Sequence, residues 1–262
     1  MKEFIVEMVN NARKDFGIKE FPGNFFEHIV KERDYIDKYK LALFKQSLGD
    51  DNSGFICYTS KERAFICINN LRTIGHQNFT LAHEIAHIYL HKGINFDDTD
   101  DSIKIKEKEG VEYQANQFAA ELLYPIEYVQ SDIDYIENNN LLENGNEIEI
   151  GDYTNEIAQK YCISFRFALL RILFNSDFAK RNCVLKKVDL ITEIVSPLSV
   201  RYDEEFYIIS PESEYYKPYI GILEEQKRIS NILVEKDGLG VDSATAINGR
   251  LEELEGFHET FI

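Results

Sequence analysis

Cysteine is scarce in this sequence, and the few cysteines are far apart. The chain has 262 residues and four cysteines, and Cys57, Cys67, Cys162 and Cys183 include no CxxC pair. A chain of this length can bury a sizeable core and does not need a disulfide framework. Cys57 and Cys67 can oppose each other across a predicted hairpin, but two buried thiols are the simpler interpretation. We therefore expect a reduced, cytoplasmic protein.

Long hydrophobic runs are absent as well. No segment reaches the roughly eighteen apolar residues that a membrane-spanning helix needs. Near the start of the chain, charged residues such as Glu3, Glu7 and Arg13 interrupt the apolar positions, which is not the pattern of a signal peptide. The sequence thus predicts no association with a membrane.

Positive charge is in deficit, with 29 Lys and Arg against 46 Asp and Glu and a formal net charge of −17. Such a charge repels the phosphate backbone and argues against non-specific binding of nucleic acid by the whole molecule. The charge is uneven, however. Residues 96–156 are strongly acidic, whereas residues 160–187 are basic and contain a single acidic residue, Asp177. This contrast indicates separate surfaces.

The run FTLAHEIAHIYLH at residues 79–91 places two histidines four residues apart. On a helix, His83 and His87 share one face, so both imidazoles can bind one metal ion. Glu84 borders that face and can take a proton from water that the metal activates. The other positions of the run are mostly apolar, as expected for a helix buried behind a metal site. The run therefore predicts a metal-dependent hydrolase.

The helix that carries this run has candidate start and stop signals. Thr80 is a possible N-cap, and Gly93 is a candidate C-terminal stop.

A catalytic zinc site takes three protein ligands, so a third ligand must come from elsewhere. His91 lies about 12 Å from His83 along a straight helix, and a role beside the ligands or at the helix end is favoured over ligation. Glu112 is the better candidate, because it opens the apolar-periodic segment EYQANQFAAELLYP, whose alanines allow close helix approach. Asn116, on the same face, fits equally well as a hydrogen-bond partner that orients a ligand or as a packing residue.

FTLAHEIAH followed by the pattern ExxANxFAxxLLxP resembles the ImmA/IrrE family of metallopeptidases. Residues 54–70 resemble the strand pair that leads into the active-site helix of that family. The resemblance implies that His83, His87 and Glu112 bind the metal and that Glu84 is the general base. Zinc is the expected ion, and manganese is the alternative. The implied substrate is a helix-turn-helix transcriptional repressor, cleaved to induce genes of a mobile element or a stress response.

The order of elements predicts a mostly helical α+β protein. Helices are expected over about 2–16 and 24–38, strands over about 54–59 and 64–69, and the two motif helices follow. We expect a zincin-like peptidase domain with a small β-sheet over residues 1–125, a helix-turn-helix-like helical segment over 126–183 and a small C-terminal α/β domain over 184–262.

Residues 155–175 read as helix, tight turn, helix and resemble the helix-turn-helix segment of IrrE-like proteins. Any contacts with phosphate would come from Arg166, Arg171, Lys180 and Arg181. A packing unit is nevertheless favoured over DNA contact, because Cys162 occupies the turn where glycine is commonest and few polar side chains can read bases.

Beyond residue 184 the sequence predicts two strands, in VLKKVDLITEIVS and EEFYIIS, and helices over about 217–234 and 243–255. A sensor role, dimerisation and substrate docking are all compatible with this composition.

The main hypothesis is a zinc-dependent endopeptidase that binds an extended peptide along the edge of the hairpin at 54–70. The alternative is a non-catalytic regulatory protein that keeps the metal and the fold but binds a repressor or DNA. Glu84 favours the enzyme, because a binding module does not need a general base.

Overall fold

The computed structural model describes residues 2–31, 38–48, 52–60, 63–91, 101–143, 145–195 and 206–209, with isolated positions 197, 220, 221, 224 and 228. Over these residues the protein is α+β and mostly helical, as predicted. Among the helices described, none is long and apolar enough to cross a membrane.

Along the described chain two helices come first, three strands follow, and helices dominate after them. The helices are α1 Lys2–Asp15, α2 Phe25–Lys31, α3 Ile74–Leu90, α4 Asp101–Leu123, α5 Ile126–Asn138, α6 Glu147–Tyr161, α7 Phe165–Asn175, α8 Phe178–Arg181 and α9 Val184–Ile194. The strands are β1 Ala42–Gln46, β2 Gly54–Ser60, β3 Arg63–Asn69 and β4 Phe206–Ile209. The predicted helix over 2–16 is confirmed. The helix predicted from residue 24 begins at Phe25, and its continuation over 32–37 lies outside the described residues.

The four strands form one sheet in the order β2-β3-β1-β4. β2 and β3 are the predicted antiparallel hairpin, β1 runs parallel to β3, and β4 runs antiparallel to β1. β2 therefore lies at one edge of the described sheet. The sequence did not predict β1, since it has five residues and its regular alternation is obscured by Lys45, whose side chain is buried.

The register of the hairpin corrects one prediction about the cysteines. Cys67 faces Phe55 across the hairpin and Cys57 faces Phe65, so the two cysteines do not oppose each other. Cys57 is exposed and Cys67 is buried, and neither forms a disulfide. The interpretation as two buried thiols is therefore right for Cys67 alone.

Helix α3 lies between the sheet and α4. Its apolar side chains, among them Leu81 and Ile85, are buried against residues of β3 such as Ile66. On the other side α3 packs on α4, where Ala115 and Ala119 are fully buried. Small side chains at this contact let the two helices approach closely, as the sequence predicted, and this approach positions the candidate site.

Both motif helices begin earlier than expected. Thr80 does not cap α3, since the helix begins at Ile74 and the Thr80 hydroxyl donates to the carbonyl of His76 at 3.0 Å. The preceding residues include a glycine and an asparagine, which are poor helix formers, so the helical pattern is weak there. Glu112 lies in the middle of α4 rather than at its start, because the lysine and glutamate residues before it extend the helix back to Asp101. Gly93 lies outside the described residues.

Residues 147–175 form the predicted helix, turn and helix. Cys162 adopts φ 50° in the turn, and the Ser164 hydroxyl accepts a hydrogen bond from the N–H of Phe167 at the start of α7. The turn packs closely on α3 at Gly75. A Cβ on Gly75 would lie only 2.3 Å from the backbone N of Ser164. The Asn78 amide adds a hydrogen bond to the carbonyl of Cys162 at 3.0 Å.

Three of the four side chains expected to contact phosphate form ion pairs within the protein, and the side chain of Arg181 lies outside the described part of the chain. Arg171 forms an ion pair of 2.6 Å with Glu121 and is largely buried. Arg166 pairs with Asp189, and Lys180 pairs with Asp177. For Arg171 the prediction is wrong, because its guanidinium joins α7 to α4 and also donates to the carbonyl of Tyr124.

The C-terminal prediction is correct for one strand and wrong for the other. VLKKVDLITEIVS was predicted as a strand, but it forms helix α9. Its β-branched residues suggested a strand, whereas the buried positions Val184, Val188 and Ile191 follow helical spacing. EEFYIIS contains β4, as predicted. Of the two helices predicted beyond, the structure describes helical positions 220, 221, 224 and 228 only.

The three predicted domain ranges stay predictions. Contacts between described residues connect these ranges, among them the pairing of β4 with β1 in the sheet and the packing of α9 on α6 and α7.

Candidate metal centre

Helices α3 and α4 bring together the three side chains predicted to bind the metal. The Nε2 atoms of His83 and His87 lie 3.2 Å apart. A carboxylate oxygen of Glu112 lies 2.9 Å from His83 Nε2, and the other lies 3.9 Å from His87 Nε2. All three ligand atoms are within 4.8 Å of one another. Two ligands of a tetrahedral zinc ion are about 3.3 Å apart when each lies about 2.0 Å from the metal, so the spacing fits.

The outer nitrogens of both imidazoles are held by neighbouring side chains. His83 Nδ1 donates to the side-chain oxygen of Asn116 at 3.0 Å. His87 Nδ1 lies 3.0 Å from Nδ1 of His91. Both rings therefore direct Nε2 towards Glu112, as ligands whose far nitrogen is hydrogen-bonded do in metal sites. Of the two interpretations of Asn116, the geometry favours the hydrogen-bond partner.

Burial keeps the histidine at the centre of the cluster neutral. The pKa of His87 is lowered to about 3, mainly by burial and further by the charges of His83 and His91. A neutral imidazole is the form that binds a metal ion. The cluster is more open on the side of Glu112, whose side chain is 41% exposed against 8% for His87.

Glu84 is buried beside the cluster. Burial raises its pKa to about 8, and the negative charge of Glu112 contributes to the rise. A carboxyl group in such a site has the raised pKa that general bases and acids commonly show. A divalent cation on the neighbouring ligands would oppose this shift, because it favours the carboxylate.

The structure adds one residue that the sequence did not indicate. Gln114, on α4, places its side-chain oxygen 3.2 Å from Nε2 of His91. This contact depends on how α3 and α4 cross, and no spacing within either helix reveals it. His91 itself was predicted to lie beside the ligands, and it does.

Each motif helix carries a tyrosine close in sequence to the predicted metal ligands, Tyr89 on α3 and Tyr113 on α4. The hydroxyl of Tyr89 donates to Asp15 at 2.8 Å, and its ring stacks on Phe118. Tyr113 follows Glu112 on α4 and is 54% exposed. Tyr89 therefore contacts both α1 and α4.

A buried helix that carries HExxH, packed between a small sheet and a second helix that supplies a carboxylate, defines the zincin-like class of peptidases. The family described as the IrrE N-terminal-like domain matches this chain over residues 36–173, which is more than half of its length. The chain therefore belongs to the ImmA/IrrE family of metallopeptidases.

The chain is similar to Metallopeptidase ImmA of Bacillus subtilis (strain 168). This chain is 32% identical to it over 102 residues, which are 38% of this chain and 58% of the relative. The match thus spans little more than half of the relative's length.

Proposed function

We propose that the protein is a zinc-dependent endopeptidase whose metal is held by His83, His87 and Glu112. The observation that carries the proposal is the convergence of one carboxylate and two Nε2 atoms within 4.8 Å, from two helices. The donor set suits zinc, and manganese is the alternative ion. Family membership supports the same interpretation.

When bound, a divalent cation acts as a Lewis acid that polarises the scissile carbonyl and lowers the pKa of water towards 7. The chain's own contribution to the chemistry is Glu84. Its carboxylate takes the proton from the attacking water and passes it to the nitrogen of the leaving amine. Burial of Glu84 excludes bulk water from this proton transfer.

An extended peptide can reach the site along β2. This strand is at the edge of the described sheet, and an edge strand can pair with a peptide through its free backbone groups. At Gly54 the strand approaches α3 closely. A Cβ at this position would lie only 2.6 Å from the side chain of Thr80 on α3. The start of β2 thus touches α3 one turn before His83 and Glu84. A bound peptide would run past the metal ligands.

The substrate class in this proposal is a helix-turn-helix transcriptional repressor, cut to induce genes of a mobile element or a stress response. This class comes from the resemblance to the ImmA/IrrE family. Because a transcriptional repressor acts on the genome, the same proposal places the protein in the cytoplasm.

Binding of DNA, one form of the alternative, has less support. In helix-turn-helix proteins the N-terminal residues of the second helix contact base edges. In this chain the turn and the residue before α7 lie against α3, where Gly75 meets Ser164 and Asn78 bonds to Cys162. Phe167 in the first turn of α7 also contacts Phe79 of α3. This packing covers part of the surface that would face DNA.

The test is the Glu84→Gln variant of the zinc-loaded chain. Purified repressors encoded near the gene, together with a peptide library, are incubated with protein, and new termini are identified by mass spectrometry. We expect the wild type to cleave and Glu84→Gln to retain zinc while the rate falls by about 10²- to 10⁴-fold. Glu137→Gln, the same exchange at an exposed position on α5, is the control and should cleave normally. Equal cleavage by Glu84→Gln and the wild type would refute the assignment of the base. Unchanged gene induction by that variant would favour the binding alternative.

A further inference from the structure

A chain of hydrogen bonds leads from α4 to the ligand His87. Gln114 contacts His91, and His91 in turn contacts His87, with distances of 3.2 Å between Gln114 Oε1 and His91 Nε2 and 3.0 Å between the two Nδ1 atoms. His91 follows α3 at its C-terminal end. His87 is 7% exposed and His91 is 4% exposed, so bulk water has little access to either ring.

The chemistry of these groups fixes where each proton lies. The Gln114 oxygen can only accept, so Nε2 of His91 carries a hydrogen and donates it. A neutral imidazole carries one N–H, and Nδ1 of His91 is therefore an acceptor. Nδ1 of His87 must then be the donor, which leaves the lone pair of His87 on Nε2. That nitrogen is the one that lies 3.2 Å from Nε2 of His83.

The opposite tautomer would disrupt this arrangement. If Nδ1 of His91 carried the hydrogen, it would donate to Nδ1 of His87 and move the His87 proton to Nε2. The nitrogen that faces His83 and Glu112 would then have no lone pair for a metal. The tautomer of His83 is set without an intermediate residue, since the Asn116 oxygen accepts directly from Nδ1 of His83.

We propose that Gln114 and His91 are positioning residues that set the tautomer and the ring orientation of His87, so that the site is prepared to bind metal through Nε2. The proposal rests on the proposed function, because it treats His87 as a ligand. It assigns the histidine after the HExxH run a specific task, and it makes α4 the source of control over both imidazoles. Neither residue contacts the metal in this account.

The direct test is nuclear magnetic resonance of the full-length chain with ¹⁵N-labelled histidine, loaded with zinc. Long-range proton–nitrogen correlations distinguish the two tautomers of each ring. We expect His91 to carry its hydrogen on Nε2 and His87 to carry its hydrogen on Nδ1. A hydrogen on Nδ1 of His91 would overturn the proposal.

Variants test the same chain of hydrogen bonds from Gln114 through His91 to His87, here called the relay. The readout is zinc affinity, measured by competition with a chromophoric chelator. His91→Leu fills a similar volume without an acceptor and should weaken zinc binding by about 10- to 100-fold. His91→Asn places an amide oxygen near the former position of Nδ1 and should recover most of the affinity. Gln114→Leu should weaken binding in the same direction as His91→Leu. The control is His76→Leu, an exposed histidine of α3 that bonds to Ser53, and its zinc affinity should equal that of the wild type.

The outcomes separate this proposal from the function on which it rests. Wild-type affinity in His91→Leu, or equal losses in His91→Leu and His91→Asn, would overturn the relay and leave the endopeptidase proposal intact. A wild-type chain that does not bind zinc would overturn the proposed function, and the tautomer of His91 in the metal-free protein would still decide the relay. The same spectra of the wild type decide it if a variant fails to fold.

Discussion

Asn116 illustrates how a single side chain can orient a metal ligand from a neighbouring helix. Its oxygen accepts from Nδ1 of His83 at 3.0 Å, while Gln117, the next residue, is exposed. Removing a hydrogen-bond partner of a ligating histidine weakens metal binding by about 10- to 100-fold. Asn116 is itself exposed, so water can replace its oxygen, and the loss should be smaller than at the buried His91.

We therefore expect Asn116→Ala to lower zinc affinity by about tenfold, measured by chelator competition. Gln117→Ala is the matched control and should bind zinc like the wild type. Equal affinities for the two variants would show that Asn116 does not orient His83.

The sequence indicated the site residues to different degrees. The spacing of His83, Glu84 and His87 is local to one helix and can be read directly. Glu112 could be proposed because the second helix also has an apolar period and matches a family pattern. Gln114 could not, since its contact with His91 crosses from α4 to α3 and depends on the packing of the two helices.

Among the elements, α3 depends on a very close contact with the turn before α7. Gly75 lies against backbone atoms of Ile163 and Ser164, and a Cβ there would come within 2.3 Å of them. Backbone atoms cannot move aside as a flexible side chain can. The contact fixes the first turns of α3, and His83 and Glu84 lie further along the same helix.

Gly75→Ala should therefore lower the free energy of unfolding by about 1–3 kcal/mol, the usual cost of overpacking. The matched variant is Gly110→Ala on α4, where a Cβ would meet nothing within 4 Å. That exchange should raise stability by about 0.5–1 kcal/mol, because glycine is the more flexible residue in the unfolded chain. Urea unfolding of both variants measures the difference, and destabilisation of equal size in both would contradict the close contact.

The elements that the sequence missed share a physical cause. The first turns of α3 contain weak helix formers, and tertiary hydrogen bonds stabilise them, such as the one from the Asn78 amide to the carbonyl of Cys162. β1 contains a buried lysine, and α9 contains β-branched residues at helical spacing. In each case packing against distant residues overrides the local preference.

For the whole molecule, a partly buried ion pair ties the C-terminal part to the helices before it. Lys187 of α9 contacts Glu147 at the start of α6 at 2.9 Å. The hydrogen bond from Lys187 lowers the pKa of Glu147 below its ordinary value of 4.5, and backbone N–H groups of Glu147 and Gly145 add to the effect. A carboxyl group with a lowered pKa contributes stability above its ordinary pKa and loses it as the pH falls through the lower value.

Lys187→Met should therefore be less stable than the wild type at pH 7, and the difference should shrink as the pH falls below 4.5, the ordinary pKa of Glu147. Urea unfolding at several pH values measures this difference. Lys180→Met is the control, because Lys180 and Asp177 form an exposed pair that contributes little. A difference between Lys187→Met and the wild type that stays constant from neutral to acid pH would contradict this account.

Metal binding by His83, His87 and Glu112 is tested most directly by an anomalous difference map at the zinc edge from crystals of the zinc-loaded protein. We expect one strong peak within about 2.0–2.2 Å of Nε2 of His83, Nε2 of His87 and a carboxylate oxygen of Glu112. A peak bound elsewhere, or one that Glu112 does not contact, would contradict it.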